Sequence, residues 1–203
     1  MSTRAPESSE AGYRTRDPAR KERILEAAAG LLARNGFHSV SMAEIGNQAG
    51  ITGSGIYRHF ESKSAILVAL FDRTIDDLLA DEAATMEAHL DLAETLERLI
   101  AAQVEFVVRD RALAQVYHNE IRNLPDEDQV RLRRKQRLYI EEWVHVVREI
   151  HGGLDDATAR ALVHAAISAI QSTLFHNVGL PGERQREILA RAAKAVLAPG
   201  PLD

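Results

Sequence analysis

Residues 41–63, SMAEIGNQAGITGSGIYRHFESK, are patterned as two short helices and the start of a third. Ser41 followed three residues later by Glu44 is the S-x-x-E capping box, which begins a helix. Gly50 ends that helix after about two turns, and residues 53–59 are predicted as a second short helix. Two short helices joined by a glycine turn predict a helix-turn-helix, whose second helix lies in the major groove of DNA.

The chemistry of residues 53–63 is typical of a helix that reads DNA. Gly53 and Gly55 each cost about 1 kcal/mol of helix stability relative to alanine, but they remove side-chain bulk where the backbone approaches DNA. Lys63 begins the next helix, where unpaired backbone amides already favour a phosphate. The residues predicted to contact DNA are Ser41, Thr52, Gly53, Ser54, Gly55, Tyr57, Arg58, His59 and Lys63.

Helical periodicity continues along the rest of the chain. Leucine and alanine recur at helical spacing, strand-like alternation is absent and there are only 6 prolines, so the sequence predicts an all-α fold of about nine helices. The other helices are predicted over 18–35, 63–88, 95–110, 112–123, 127–150, 156–177 and 184–197. The predicted divisions are a disordered arm (1–16), a helix-turn-helix domain (17–62) and a larger helical domain (63–203).

Composition excludes several classes of protein. The 203 residues include no cysteine, which excludes disulfides, thiolate catalysis and cysteine zinc sites. No apolar stretch is long enough for a signal peptide or a membrane span. The net charge of −5 is uneven, because residues 1–63 carry nine Lys and Arg against seven Asp and Glu. We therefore expect a cytoplasmic protein without membrane association, whose N-terminal part can contact phosphate.

The sequence offers little support for catalysis. His164 and His176 are twelve residues apart, about 120° around a helix, and cannot share a metal if that helix is straight. There is no H-E-x-x-H motif, glycine-rich phosphate loop or nucleophile elbow. We expect no metal, no cofactor and no enzymatic activity. A helical adaptor that binds only protein would give no reason for the glycines and cations of 53–63.

Residues 20–66, RKERILEAAAGLLARNGFHSVSMAEIGNQAGITGSGIYRHFESKSAI, closely resemble the DNA-binding domain of the TetR family of bacterial transcriptional regulators. The resemblance rests on the Gly36-Phe37 pair, on the S-M-A-E-I-G opening of the second helix, and on Y-R-H-F-x-S-K. It implies a homodimer that binds an inverted-repeat operator in double-stranded DNA and a C-terminal domain that binds a small-molecule effector.

The resemblance also implies roles for single residues. It assigns phosphate contacts to Thr52, Tyr57 and Lys63, and places Ser54, Gly55 and Arg58 near base edges. Tyr57 could instead pack on the first helix, and His59 could merely close the recognition helix. Arg58 could contact phosphate as readily as guanine.

The predicted helix 127–150 separates an aromatic face from a charged one. Tyr139 and Trp143, the only tryptophan, lie on the face opposite the arginines. An effector cavity needs apolar walls with a few polar groups, although each aromatic residue alone could equally be core. The residues predicted to line the cavity are Phe106, Tyr117, His118, Asn119, Arg122, Tyr139, Trp143 and Phe175.

The run RLRRKQR at 131–137 allows two interpretations. Arg133, Arg134, Arg137 and Glu141 share one helix face, which favours a solvated charged surface. The alternative is that the run binds the phosphates of coenzyme A. The segment YHNEIRNLPDEDQVRLRRKQRLYIEEW resembles TetR regulators of fatty-acid and sterol breakdown that respond to acyl-CoA thioesters. That resemblance implies a lipophilic effector such as an acyl-CoA.

Small residues on the last two helices are predicted to form the dimer interface. The resemblance implies a homodimeric four-helix interface, and the small side chains of 156–177 permit close helix contact. The interface residues predicted are Ala161, Ala165, Ala169, Ser172, Leu189, Ala193 and Val196. The alternative is a helix packed inside the core of one subunit.

The sequence therefore predicts a homodimeric, ligand-responsive transcriptional repressor that leaves a palindromic operator when a small lipophilic effector binds. The choice of repressor over activator follows from the family resemblance. The alternative of the same class is a regulator of efflux or antibiotic response that binds a drug-like ligand. An enzyme or a helical adaptor is the remote alternative.

Overall fold

The structure, a computed structural model, describes residues 18–51, 53–88, 90–176 and 178–198. Within these ranges it contains nine α-helices and no strand, which confirms the all-α prediction. The helices are α1 (Pro18–Asn35), α2 (Met42–Gln48), α3 (Gly53–Ile56), α4 (Lys63–Glu87), α5 (Leu92–Arg109), α6 (Arg111–Glu120), α7 (Asp126–His151), α8 (Asp156–Gln171) and α9 (Gly182–Leu197), with a 3-10 turn at Ile121–Asn123 after α6. The arm predicted over 1–16 lies outside the described residues, as does Thr52.

The helix starts follow the capping residues of the sequence. Ser41 accepts a hydrogen bond from the backbone N–H of Glu44 (3.2 Å), and the Glu44 carboxylate accepts one from the Ser41 N–H (2.7 Å). This reciprocal pair is the predicted capping box. Ser62 caps α4 through a bond from the Ala65 N–H of 3.0 Å, and its cap position fixes where the long helix begins.

The helices predicted over 53–59 and 156–177 end earlier than expected, and the one predicted over 112–123 is α-helical only to Glu120 before the 3-10 turn. The helix predicted over 53–59 has α-helical geometry only to Ile56, and the following turn is closed by a bond from the His59 N–H to the Ile56 carbonyl (2.9 Å). Helix α8 ends at Gln171 instead of 177. The Leu174 carbonyl beyond it accepts a bond from Arg111 of α6 (2.8 Å), so this turn is held by α6 and does not continue the helix.

The buried apolar residues form two clusters that share α4. One joins α1, α2, α3, the first half of α4 and parts of α6 and α7, and the other joins α5, α7, α8 and α9. Ile66, Leu70 and Phe71 of α4 are fully buried in the first cluster, whereas Leu78 packs against the second. Helix α4 therefore packs against both clusters. The domain division at residue 62 stays a prediction. The first half of α4, which follows that boundary, packs in the same cluster as α1, α2 and α3.

Candidate DNA-binding surface and effector cavity

The close approach of α2 and α3 depends on Gly46. This glycine is buried, and a Cβ added to it would lie 3.2 Å from the Ile51 carbonyl oxygen. The Ile51 N–H donates to the Gly46 carbonyl (2.8 Å), and the fully buried Ile56 packs beside it. Because a side chain at 46 would push the two helices apart, the glycine fixes the helix-turn-helix geometry.

The described residues of the predicted DNA contact set lie at or near the surface. Tyr57 is 59% exposed, which disfavours the alternative that it packs on α1. Arg58 and Ser41 are exposed, and His59 and Gly55 are half-buried. Gly53 begins α3, while the side chain of Ser54 lies outside the described atoms. The structure therefore presents Tyr57 and Arg58 together on the turn that follows α3.

Lys63 is engaged within the chain. Its ammonium donates to the carbonyl oxygens of Phe37 and Val40, the second at 2.6 Å, and lies 4.4 Å from the centre of the Phe37 ring. An ammonium group has three donors, so one is left for a phosphate. Lys63 therefore stabilises the turn between α1 and α2 through these two bonds. The sequence analysis did not predict this role.

The same turn is held from the other side by α6. Glu120 accepts a hydrogen bond from the Phe37 N–H (3.1 Å) and another from the Asn123 side chain (2.5 Å). Gly36, just before Phe37, has a φ of 77°, a left-handed conformation that favours glycine. Side chains from α4 and α6 thus converge on one backbone turn of the DNA-binding domain. Glu120 and Phe37 are 83 positions apart in the chain, so no local sequence pattern could predict this contact.

A cavity of about 450 Å³ lies between α4, α5, α6, α7 and α8. The aromatic residues Phe106, Tyr117 and Tyr139 line it, as predicted, together with aliphatic side chains such as Ile75 and Ile167. Its full lining is Ile75, Leu78, Gln103, Phe106, Tyr117, Arg133, Gln136, Arg137, Tyr139, Ile140, Arg160, His164, Ile167, Ser168 and Gln171.

The prediction of cavity residues is wrong for the other five. Trp143 is fully buried in the core, with its ring 6.1 Å from that of Tyr139. His118, Asn119 and Arg122 are exposed and are not among the residues that line the cavity. His118 and Asn119 lie about 100° and 200° around α6 from Tyr117, which does line it. Phe175 is 47% exposed because α8 ends before it, and its ring contacts His118 (5.3 Å).

The polar part of the cavity wall was missed. Gln103 is 3% exposed and accepts a hydrogen bond from the Tyr139 hydroxyl (3.1 Å). It lies in a buried stripe on α5 that is mostly apolar, and a long polar residue in such a stripe is a usable sequence signal for a cavity. The Tyr117 hydroxyl, in contrast, is buried with no hydrogen-bond partner among the described residues. Burial raises the pKa of both tyrosines, so both hydroxyls stay neutral.

Arginines mark the cavity opening. Arg133 and Arg137 of α7 are exposed residues that line the cavity, and Arg160 of α8 lies beside them. Arg160 is fixed by two bonds to Glu141 (2.9 and 2.8 Å). The described lining contains no aspartate or glutamate. The charged face predicted for α7 is thus exposed to solvent, and two of its arginines also line the cavity. The sequence alone did not decide between these two interpretations.

The other side of α7 is ion-paired to α4. Arg131 contacts Asp72, and Lys135 bonds to both Asp72 (3.0 Å) and Asp76 (2.6 Å). Burial opposes ionisation of Asp72, but hydrogen bonds from Arg131 and Lys135 outweigh it, so its pKa lies below the usual value. The helix that carries the cavity arginines is therefore tied to the helix that carries Lys63.

A larger, charged cleft of about 900 Å³ opens between α1, α4, α5, α6 and α9. It shares Leu78 and Phe106 with the first cavity. Its cations are paired within the chain, as in the contact of Arg186 with Glu105 (2.5 Å). Acidic side chains such as Glu26, Asp77 and Asp81 line this cleft, whereas the described lining of the first cavity holds none, so the first cavity is the better candidate for an effector that carries negative charge.

The predicted dimer residues divide into two groups. Ala161, Ala165 and Ser172 are exposed, and Ala169 and Val196 are half-buried. Leu189 (3% exposed) and Ala193 (0%) are buried in the chain's own core, so the prediction is wrong for these two. Helix α9 turns them toward α5 and α8 and instead presents Ile188, which is 40% exposed.

Two family models match the chain. Residues 24–70 match the model of bacterial regulatory proteins of the tetR family, and residues 89–175 match a tetracyclin repressor-like C-terminal domain. No described helix is long and apolar enough to cross a membrane.

Relatives of this chain are named as regulators. It is 28% identical over 105 residues to the HTH-type transcriptional repressor KstR2 of Rhodococcus jostii, a match that covers 52% of this chain and about half (52%) of that protein. It is 25% identical over 164 residues to the fatty acid metabolism regulator protein of Bacillus subtilis, covering 76% of this chain and 82% of that protein.

Among solved structures, the transcriptional regulator FadR from Bacillus subtilis in complex with stearoyl-CoA superposes with a TM-score of 0.68. The superposition covers 87% of this chain and 95% of FadR, at 23% identity, and shows a common fold. The helix-turn-helix held together at Gly46, the helical domain behind it and the two family matches agree, and the chain belongs to the TetR family of bacterial regulatory proteins.

Proposed function

We propose that this protein is a homodimeric transcriptional repressor that leaves an inverted-repeat operator when an anionic, partly apolar effector enters the cavity between α4 and α8. An acyl-CoA thioester is the effector class that the cavity supports best. The observation that carries this proposal is an apolar and aromatic wall beside Arg133 and Arg137, two exposed arginines that also line the cavity. Hydrocarbon binds to such a wall, and arginine binds phosphate in planar, bidentate geometry.

The contact surface for DNA is the turn after α3 with the cations near it. Tyr57 and Arg58 are exposed there, and Lys63 retains one ammonium donor beyond its two carbonyl bonds. We infer that Thr52, Tyr57 and Lys63 contact phosphate and that Ser54, Gly55 and Arg58 lie near base edges. Phosphate contacts position the protein, and base contacts provide sequence preference.

The route from effector to DNA runs through α4 and α6. Tyr117 lines the cavity and Glu120, one turn later on α6, binds the Phe37 N–H. On α4, Asp72 binds the cavity helix α7, and Lys63 binds the same α1–α2 turn. An effector that displaces α6 or α7 therefore changes the position of the helix-turn-helix, and the separation of two recognition helices in a dimer has to match the operator.

The dimer is proposed to form through the outward faces of α8 and α9. Ala161, Ala165 and Ser172 present small exposed side chains on α8, and Ile188 adds an exposed apolar side chain on α9. Small residues allow two helices to approach closely, and the four helices of two subunits can bury the apolar surface. The protein would then work where the chromosome is, in the cytoplasm, and we propose no catalytic role for it.

The test is operator release. The purified protein is mixed with DNA from the region upstream of its own gene, and binding is followed by gel shift with a long-chain acyl-CoA, the matching free acid or coenzyme A alone. Release by the thioester but not by the free acid supports the proposal. Release by a cationic drug-like compound and not by any thioester would favour a regulator of efflux, which the arginine-lined opening disfavours. A protein that binds no DNA in any condition would overturn the proposal.

A further inference from the structure

The hydroxyl of Tyr117 is buried without a hydrogen-bond partner among the described residues, and this bears on which effector the cavity binds. We propose that the part of the effector enclosed by the cavity carries an oxygen group, a hydroxyl or a ketone, and that the Tyr117 hydroxyl recognises it. This inference rests on the proposed function, because it names the class of acyl group among anionic thioesters. According to this inference, the cavity prefers an oxygenated acyl group to a plain saturated chain.

The two tyrosines of the cavity differ in their hydrogen bonds. Tyr139 donates to Gln103 (3.1 Å), so its hydroxyl is satisfied by the chain. The Tyr117 hydroxyl finds no partner among the described residues, although it is buried from solvent. A buried hydroxyl without a hydrogen bond is unfavourable, and native proteins rarely leave one so. Tyr117 lines the cavity, and a ligand oxygen that reaches its hydroxyl would satisfy it.

The packing of Tyr117 gives no other reason for the hydroxyl. Its ring meets the ring of Phe71 edge to face, with 4.9 Å between their centres, and a phenylalanine ring would make the same contact. Phe71 belongs to the buried part of α4, so the ring itself contributes to the core between the cavity and the DNA-binding domain. The hydroxyl therefore adds nothing to this ring contact, and recognition of a ligand oxygen would explain its presence.

The position of the hydroxyl separates two ends of the ligand. The exposed Arg133 and Arg137 lie at the opening and suit the charged part of a thioester. Tyr117 lies on α6 within the wall, next to aliphatic and aromatic side chains such as Ile75 and Phe106. A plain hydrocarbon placed there would leave the hydroxyl unsatisfied, so the site discriminates against it. Sites that hydrogen-bond a ligand oxygen reject analogues that lack it more strongly than apolar pockets reject an added group.

The experiment compares decanoyl-CoA with a series of decanoyl-CoA derivatives that carry one hydroxyl or one ketone at successive carbons of the chain. Binding to the full-length protein is measured by calorimetry. We expect at least one oxygenated derivative to bind about tenfold or more tightly than decanoyl-CoA, the effect of satisfying one buried hydroxyl. In Tyr117→Phe that preference should disappear, while decanoyl-CoA binds at least as well as to the wild type.

Thermal unfolding without ligand provides the matched control. Tyr117→Phe should unfold at the wild-type temperature or above, since it removes an unsatisfied hydroxyl, whereas Tyr139→Phe should unfold lower because Gln103 loses its partner. A preference that persists in Tyr117→Phe, or no preference in the wild type although decanoyl-CoA binds, would overturn this inference alone. Failure of every thioester to bind would overturn the proposed effector class as well.

Discussion

Glu120 on α6 accepts a hydrogen bond from the backbone N–H of Phe37, at 3.1 Å and across 83 residues of chain. Tyr117, one turn earlier on the same helix, lines the candidate effector cavity. A single short helix therefore contacts both the proposed ligand site and the turn that leads into the helix-turn-helix. Since allosteric coupling requires contacts that differ between two states, this hydrogen bond is a candidate for one of them.

Glu120→Ala should separate effector binding from DNA release. The effector still enters its cavity, but α6 no longer holds the Phe37 N–H, so we expect the effector concentration needed for release to rise by about five- to tenfold, within the range of typical coupling energies. Glu120→Gln keeps an acceptor oxygen and serves as the matched control. Effector affinity is measured by calorimetry and release by gel shift. An alanine variant that is released like the wild type would show that α6 does not transmit the signal.

Lys63→Ala should affect both stability and DNA binding. The half-buried ammonium bonds to Phe37 and Val40, so its loss should reduce the free energy of unfolding by about 1–3 kcal/mol. It should also weaken binding to operator and random DNA alike and flatten the salt dependence, because the proposed phosphate contact is lost. Urea unfolding and fluorescence anisotropy at several salt concentrations measure the two effects.

Arg58→Ala is the control for Lys63, because Arg58 is exposed beyond α3. The free energy of unfolding of the Arg58→Ala variant should stay close to that of the wild type, as for most surface substitutions. Its preference among operator variants should change if the guanidinium reaches a base. Equal loss of affinity for all sequences in both variants would leave Arg58 as a phosphate contact only.

The contrast between these residues shows where sequence reasoning succeeds. The capping box at Ser41 and the buried face of α7 are local patterns, and their periodicity or spacing is enough to predict them. Trp143 shows the limit: the correct helix face was identified, but whether a residue on that face meets a cavity or the core depends on α5 and α8. The same holds for Leu189, which an apolar stripe cannot assign to the subunit core or to a dimer interface.

The buried Glu82 predicts an unusual pH dependence of stability. It is 5% exposed, one of its carboxylate oxygens finds no partner among the described residues, and burial and the nearby Glu142 raise its pKa to about 8. In the unfolded chain the pKa returns to its ordinary value near 4.5. The folded state then holds the proton more tightly, so stability from this group is complete below about pH 4.5 and is lost as the pH rises toward 8.

Glu82→Gln should remove that dependence. Between about pH 5 and 9 the free energy of unfolding of the wild type should fall relative to the glutamine variant, by on the order of 2 kcal/mol. Urea unfolding at several pH values measures the difference, with Glu149→Gln, an exposed position on α7, as the control for adding an amide. Parallel pH profiles for the wild type and Glu82→Gln would mean that this carboxyl ionises normally in the folded protein.

Arg137 and Arg134 lie one turn apart on α7 and provide the sharpest test of the cavity opening. Both are exposed, but Arg137 lines the cavity and Arg134 does not. Sequence periodicity gave the two arginines the same role, whereas the structure separates them. Arg137→Ala should therefore weaken binding of an acyl-CoA by about tenfold, since hydrogen bonds to charged groups contribute roughly 1.5–3 kcal/mol. Arg134→Ala should bind it like the wild type.

Charge reversal extends the comparison and controls for general electrostatics. Arg137→Glu should weaken thioester binding further than Arg137→Ala and make it less sensitive to salt, because an attraction has become a repulsion at the opening, while operator binding without effector changes little. Arg134→Glu makes the same change in charge one turn away on α7. Calorimetry measures the affinity for the thioester, which carries phosphates, and for the matching free acid, which carries only a carboxylate. The difference between the two gives the contribution of the coenzyme A part of the ligand. Equal losses at the two positions would show that the thioester senses only the overall charge of α7 and that Arg137 makes no direct contact.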